Sequence, residues 1–403
     1  MMQALVVFSA VCALGLTLRF PRAACVLWIL LVESSPDVWA GGLFGGQEPA
    51  TGLLKACGLS IVLALGLRHG WRRDPFNPAL AFAFMFATGL MHGLYPGLGI
   101  AASLRSTIGS AAPFLFSLVR LPEDFCRTVQ RTIIWAPLAT VGFGMLLALS
   151  GQGHFYVTEQ GAIRLGGAGE PAFLAGFALT GFYAGLMSFL RTPTRAAALP
   201  IIANFTLILL TGARAPLALA AVMGAGLLLA QRRLMLLAAA GAFASLGLIF
   251  FNALSFLRVV TLAQRGEAAN LSNRNLIWPY FEQAFGSSPW FGWGAGAGKV
   301  IVPLTAAIFT LTGTNAAHNE YLRIGAEGGI IGLALLIGLL FLWAKRGTAA
   351  LPAAQRWLMR LVFLGFALQS VTDNTLIATT ASIFFLWTST VFATQPERAS
   401  LAA

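Results

Sequence analysis

Apolar runs of roughly span length, separated by short polar breaks, recur along most of the chain. They fall near residues 3–18, 23–40, 50–67, 76–95, 101–119, 132–150, 171–190, 196–211, 215–230 and 234–257. A polar stretch, 258–316, interrupts the series, and three more runs follow near 318–343, 355–371 and 376–394. A membrane-crossing helix needs about 20 apolar residues. The pattern therefore predicts an all-α fold: a polytopic transmembrane helix bundle of about 12–13 spans, with one long loop carrying short helices. Three runs are weak: 23–40 contains Glu33 and Asp37, 101–119 contains Arg105, and 196–211 is short. The expected organisation is one integral membrane domain, with N-terminal transmembrane helices in 1–257, the loop in 258–316 and C-terminal transmembrane helices in 317–403. The opening "MMQALVVFSAVCALGLTLRF" lacks the basic start and small-residue cleavage site of a signal peptide, so it reads as part of the first span.

Composition agrees. The chain is 58% hydrophobic and 10% charged, against about 25% charged in soluble domains. The formal charge is +12. No basic run is long enough for nucleic acid, and loops that obey the positive-inside rule explain the excess. Cys12, Cys25, Cys57 and Cys126 form no CxxC or Cys/His cluster, so neither a metal site nor a disulfide framework is expected. "PWFGWGAGAGK", 289–299, lacks the GK[ST] ending of a phosphate loop and follows no predicted strand. It reads as a glycine hairpin packed against the membrane helices. No cofactor is implied.

Counting Lys and Arg on alternate sides of the runs gives an orientation. Seventeen fall on one side, mostly in short loops and counting Arg398 in the C-terminal tail, and nine on the other, mostly in or near 258–316. The rule has force for short loops. The first side is therefore cytoplasmic, and the long loop faces outward.

Three polar features then stand out on the outer side. Arg214 lies in "TGARAP" between two apolar runs, with Pro216 beside it at a predicted helix start. An arginine there can snorkel, or it can join free helix N–H groups in holding an anion. Arg274 lies in "LSNRNLIWPYFEQAF", where Ile277, Trp278, Phe281 and Phe285 keep helical spacing. That spacing predicts an interfacial helix capped by Ser272 or Asn273, with Arg274 in its first turn. His318 lies in "GTNAAHNEYLRIGAEGGIIGL". With Asn315 as cap it falls in the first turn of the next span. The helix dipole there disfavours a cation, which leaves the ring able to take a proton as a general base. Glu320, Arg323 and Glu327 form one helical stripe, and the glycines that follow permit close helix contact. His92, near the outer end of a span, is a possible neighbour. Asp373 and Asn374 at an outer turn have the chemistry to bond a sugar, and His154, Glu159 and Glu170 read as solvated.

Together "TGARAP", "SNRNLIW" and "HNEYLRIGAEGGIIGL", in that order around an outer loop, resemble the O-antigen ligase and O-antigen polymerase superfamily, nearer the ligases. The resemblance covers roughly residues 200–345. It implies a GT-C-type glycosyltransferase of the bacterial inner membrane that needs no metal and acts at the periplasmic face. The implied donor is a glycan on undecaprenyl pyrophosphate, and the implied acceptor a sugar hydroxyl of lipid A–core, in lipopolysaccharide biosynthesis. On this resemblance Arg214 and Arg274 hold the donor pyrophosphate and His318 activates the acceptor, with Asn319, Glu320 and Tyr321 in support. One departure is the count of thirteen runs, where family ligases usually show twelve spans. A polymerase using a second lipid-linked glycan as acceptor shares the donor chemistry. A lipid-glycan transporter is the alternative from another class. It is disfavoured by the lack of repeats and of carboxylates deep in the spans.

Overall fold

The computed structural model describes residues 15–41, 46–159, 162–230 and 276–394. Nearly all of the runs at 3–18 and 234–257, and Arg274 with Ser272 and Asn273, lie outside the described residues.

The remaining runs are helices. They are α1 (Pro21–Glu33), α2 (Pro36–Trp39), α3 (Gln47–His69), α4 (Ala79–His92), α5 (Ile100–Ala111), α6 (Glu123–Leu149), α7 (Pro171–Arg191), α8 (Arg195–Thr211), α9 (Arg214–Ala230), α10 (Trp278–Ser287), α11 (Ala307–Thr312), α12 (Glu320–Thr348), α13 (Ala353–Gln369) and α14 (Thr379–Ala393). Four carry windows long and apolar enough to cross a membrane: Ala50–His69, Glu123–Leu149, Pro171–Arg191 and Glu320–Thr348. Four shorter apolar helices stand beside them. The chain is an all-α integral membrane protein.

Local chemistry explains where the runs depart from single helices. The run at 23–40 breaks after α1, where Ser35 takes φ 52° and Pro36 restarts the chain as α2. A proline cannot donate to the preceding turn, so a helix ends before it. The run at 101–119 becomes α5 followed by a 3-10 segment, Ala112–Leu118, with Pro113 at its start. The outer loop after α6 folds into a two-stranded antiparallel hairpin, β1 (Tyr156–Glu159) and β2 (Ala162–Leu165), pairing Tyr156 with Leu165. The hydropathy pattern did not anticipate it. Glu159 is not merely solvated: it ion-pairs with the buried Arg164.

The core sits around α14, which is buried on nearly every face from Thr379 to Phe392. A helix apolar all round belongs in the middle of a bundle. Trp387 and Phe385 are fully buried, and Phe114 of the 3-10 segment packs on Phe385 with ring centroids 4.2 Å apart. A second cluster joins the 276–317 segment to the helices through Ile277, Phe281, Ile301, Val302 and Ala326. The apolar face of α10 is thus spent on α12 and its neighbours.

Contacts stay within the two ends that the charge count separated. Among residues of the first side, Arg22 pairs with Asp124, Arg68 donates to the Arg19 carbonyl, Arg72 N–H donates to the Leu118 carbonyl, and Arg191 bonds Gln130. Among residues of the second, Arg164 donates to the Thr211 carbonyl, Ser103 to the Ala295 carbonyl and Asn315 to the Lys299 carbonyl. The ion pairs described among these residues each join two groups of the same end.

Candidate active site

The end that carries His318 is organised by a break in α12. Gly329 takes φ 63° and ψ −168° inside this 29-residue helix. Backbone groups freed by the break bond the glycine hairpin instead. Trp293 and Gly294 N–H donate to the Ala326 and Glu327 carbonyls, at 2.9 Å each. Ile330 and Ile331 N–H donate to the Pro289 and Trp290 carbonyls, at 2.7 and 3.2 Å. Glycine is required on both sides of this clasp. A Cβ on Gly329 would lie 2.3 Å from the Trp290 carbonyl carbon, and one on Gly292 would lie 2.4 Å from that of Glu327. The hairpin also reaches α4, where Phe291 stacks on His92 with centroids 4.6 Å apart. His92 is therefore an aromatic partner of the hairpin.

Above the break the polar stripe is buried. Arg323 donates from Nε to Glu320 Oε2 at 2.5 Å and from Nη1 to Glu327 Oε2 at 2.9 Å. Glu320 Oε1 accepts the Leu376 N–H at 2.6 Å, and Glu327 Oε1 accepts the Gly298 N–H at 3.2 Å. All three side chains are 5% exposed or less. Two carboxylates flanking one guanidinium satisfy the condition under which charge survives burial. The network ties the helix start to the 370–376 turn on one side and to the glycine hairpin on the other.

His318 stands just ahead of this network. The helix cap is Asn319, whose Oδ1 accepts the Leu322 N–H at 3.1 Å. Asn315 is not the cap; its side chain bonds the Lys299 carbonyl. His318 is therefore not in the first helical turn. It precedes the cap with φ 47°, a left-handed conformation that is uncommon for histidine and marks a constrained position. Its Nε2 is 3.4 Å from Thr314 Oγ1. Its Nδ1 is 3.3 Å from Asn374 Nδ2 and 4.0 Å from Asp373 Oδ1. The ring is 22% exposed, so it is held and still reachable. Tyr321 donates to the Ala367 carbonyl at 2.8 Å, fixing α12 to α13.

Arg214 is the first residue of α9, two residues after the left-handed Gly212 that caps α8. Pro216 lies in that first turn. The same turn is held from the hairpin by Arg164 Nε, which donates to the Thr211 carbonyl at 2.8 Å. Helix α10 begins at Trp278 with Ile277 as its cap and Pro279 in its first turn, where proline is favoured. Its cap is thus Ile277 and not Ser272 or Asn273, which, like Arg274, lie outside the described residues.

Residues 199–337 match the family model for O-antigen ligases. Across that stretch the chain is similar to the O-antigen ligase superfamily. No curated protein matches the chain. The match supports a glycosyl-transferring enzyme of the O-antigen ligase or polymerase type. The matched stretch contains Arg214, Arg274, His318 and the Glu320–Arg323–Glu327 network. The ligase-family match stops before Asp373 and Asn374, which face His318 from 55 and 56 residues further along the chain. Their turn was legible as polar and outward, but nothing in the sequence placed it against the histidine.

Between α12 and α13 runs a groove of about 550 Å³. Its walls are mainly Leu, Ile and Phe side chains, with Glu320, Tyr321 and Ser370 at one end and Lys345 and Arg360 at the other.

Proposed function

We propose that His318 is the general base of a glycan transfer at the periplasmic face of the bacterial inner membrane. The donor is a glycan on undecaprenyl pyrophosphate, and the acceptor is a sugar hydroxyl of lipid A–core. One observation carries this reading. His318 is a strained, reachable histidine within the family-matched stretch. One ring nitrogen faces a carboxylate and a carboxamide; the other faces a hydroxyl. With the Asn374 amide turned so that its otherwise unpartnered Oδ1 accepts Nδ1–H, Nε2 is left to accept a proton. Thr314 Oγ1 then marks the direction from which an acceptor hydroxyl approaches. The deprotonated oxygen attacks the anomeric carbon of the donor, the bond to pyrophosphate breaks, and attack from the opposite face inverts the centre. Arg214 and Arg274 bind the pyrophosphate, bidentate by preference, and offset the charge that grows as it leaves. The groove beside Tyr321 offers an apolar channel for a lipid tail at the height of the reacting groups.

The buried Glu320–Arg323–Glu327 network fixes the helix that carries Asn319 and His318, so its part is positioning. In this reading the 258–316 segment is the periplasmic element that brings Arg274 to the site. Reconstitution with a lipid-linked oligosaccharide tests the assignment. Product on lipid A–core supports the ligase. Lengthening of the glycan on a second lipid-linked unit, with lipid A–core left unmodified, replaces that acceptor with the polymerase's.

A further inference from the structure

Arg323 has a third nitrogen that neither glutamate reaches. Its Nη2 is buried without a partner. So is Ser106 Oγ on α5. The two groups flank the same glycine segment: a Cβ on Gly296 would lie 2.6 Å from Ser106 Oγ, and one on Gly298 would lie 3.0 Å from Arg323 Cγ. One turn along α5, Gly109 faces a third polar group, the Lys55 ammonium of α3; a Cβ there would lie 3.0 Å from Nζ. Lys55 makes no hydrogen bond or ion pair among the described residues. It is close enough to Lys299 and Arg323 to be repelled by both. Lysine occurs three times in this arginine-rich chain, and two of the three meet here.

Nearby carboxylates do not offset the lysines. Glu320 divides its oxygens between Arg323 and the Leu376 N–H, and Glu327 divides its own between Arg323 and the Gly298 N–H. Three cations, an unbonded hydroxyl and an unbonded guanidinium nitrogen thus converge from α3, α5, the glycine segment and α12. Charge withdrawn from water is costly unless it is paired, and an oxyanion is the ligand that pairs it. The cluster also adjoins the His318 segment, because Asn315 holds the Lys299 carbonyl at 2.8 Å.

We propose that Lys55, Lys299, Ser106 and Arg323 form an oxyanion site, separate from Arg214 and Arg274, that takes a phosphate carried by the acceptor glycolipid. Lys55 and Lys299 are its mouth; Ser106 and Arg323 lie behind them. Binding of the anion stands on the cluster alone, whereas its origin on the acceptor rests on the transfer reaction proposed above.

Thermal unfolding of the purified full chain in detergent, titrated with inorganic phosphate against chloride at constant ionic strength, tests the binding. Wild type and Arg214→Ala are expected to gain Tm with phosphate. Lys299→Ala, an exposed position that leaves the fold intact, is expected to need about tenfold more phosphate for the same gain, the loss of one charge-assisted bond. Lys55→Met is expected to lose the gain, and Lys55→Arg to keep it. An equal phosphate response in wild type, Lys299→Ala and Lys55→Met overturns the site, as does a response lost in Arg214→Ala and kept in Lys55→Met. Competition then identifies the source. Displacement of phosphate by a phosphorylated glycolipid, and not by its dephosphorylated form, supports the acceptor. Displacement by farnesyl pyrophosphate alone overturns that origin. A phosphate response that persists when no transfer to lipid A–core is found refutes the proposed reaction and leaves the anion site standing.

Discussion

The two ends of the molecule carry arginine in opposite ways. At the outer end Arg164 and Arg323 are buried, and each is enclosed by a carboxylate together with a carbonyl or a second carboxylate. At the other end Arg22 and Arg127 pair with Asp124 and Glu123 while more than half exposed. An exposed pair contributes about 0–1 kcal/mol. A buried pair adds little net stability, yet breaking one costs about 3–5 kcal/mol because the remaining charge is stranded. The end with the exposed pairs therefore uses charge for solvation and orientation, and the end with the buried pairs uses it to fix a helix start and a turn in place. Rigid charge is what a transfer site needs, since misplacing reacting groups by even 1 Å is expensive.

Substitutions at the two ends should separate accordingly. Arg323→Met is expected to destabilise by about 3–5 kcal/mol, because it strands the buried carboxylates of Glu320 and Glu327. The triple variant Glu320→Gln/Arg323→Met/Glu327→Gln should recover much of that loss in thermal unfolding. If the single variant unfolds like wild type, the network is not what holds the outer end. Gly329→Ala comes next, at about 1–3 kcal/mol, since φ 63° and the contact with the Trp290 carbonyl both oppose a side chain. Asn319→Ala should cost about 1 kcal/mol through the lost cap, with a fall in transfer as the His318 backbone loosens. Arg127→Ala at the opposite end should change stability by less than about 0.5 kcal/mol and leave transfer unchanged.

Hydropathy revealed the helices because a membrane leaves the backbone few other ways to satisfy its hydrogen bonds. It did not reveal where they break. Ser35 and Pro36 separate α1 from α2 in the middle of an apolar run, and the glycines around 329 read as packing residues until the glycine hairpin at 289–294 is seen bonded into the gap. The cap was misplaced for a similar reason. Asn315 and Asn319 are both good caps by residue type. The choice between them was made by tertiary partners: Lys299 takes the Asn315 amide, and Ser370 takes the Glu320 N–H at 2.8 Å. The stripe of Glu320, Arg323 and Glu327 was legible because its partners lie one turn apart. The approach of Asp373 and Asn374 to His318 was not, since it depends on how α12, α13 and α14 pack.

His318 is the residue on which the account turns. The most direct measurement is the initial rate of glycan transfer by His318→Ala in proteoliposomes, with folded protein verified by its unfolding temperature and Arg127→Ala run alongside. A loss of about 10²–10⁴-fold, the range for a positioned general base, with Arg127→Ala at the wild-type rate, is the expected result. A folded His318→Ala protein that transfers at the wild-type rate would contradict the account.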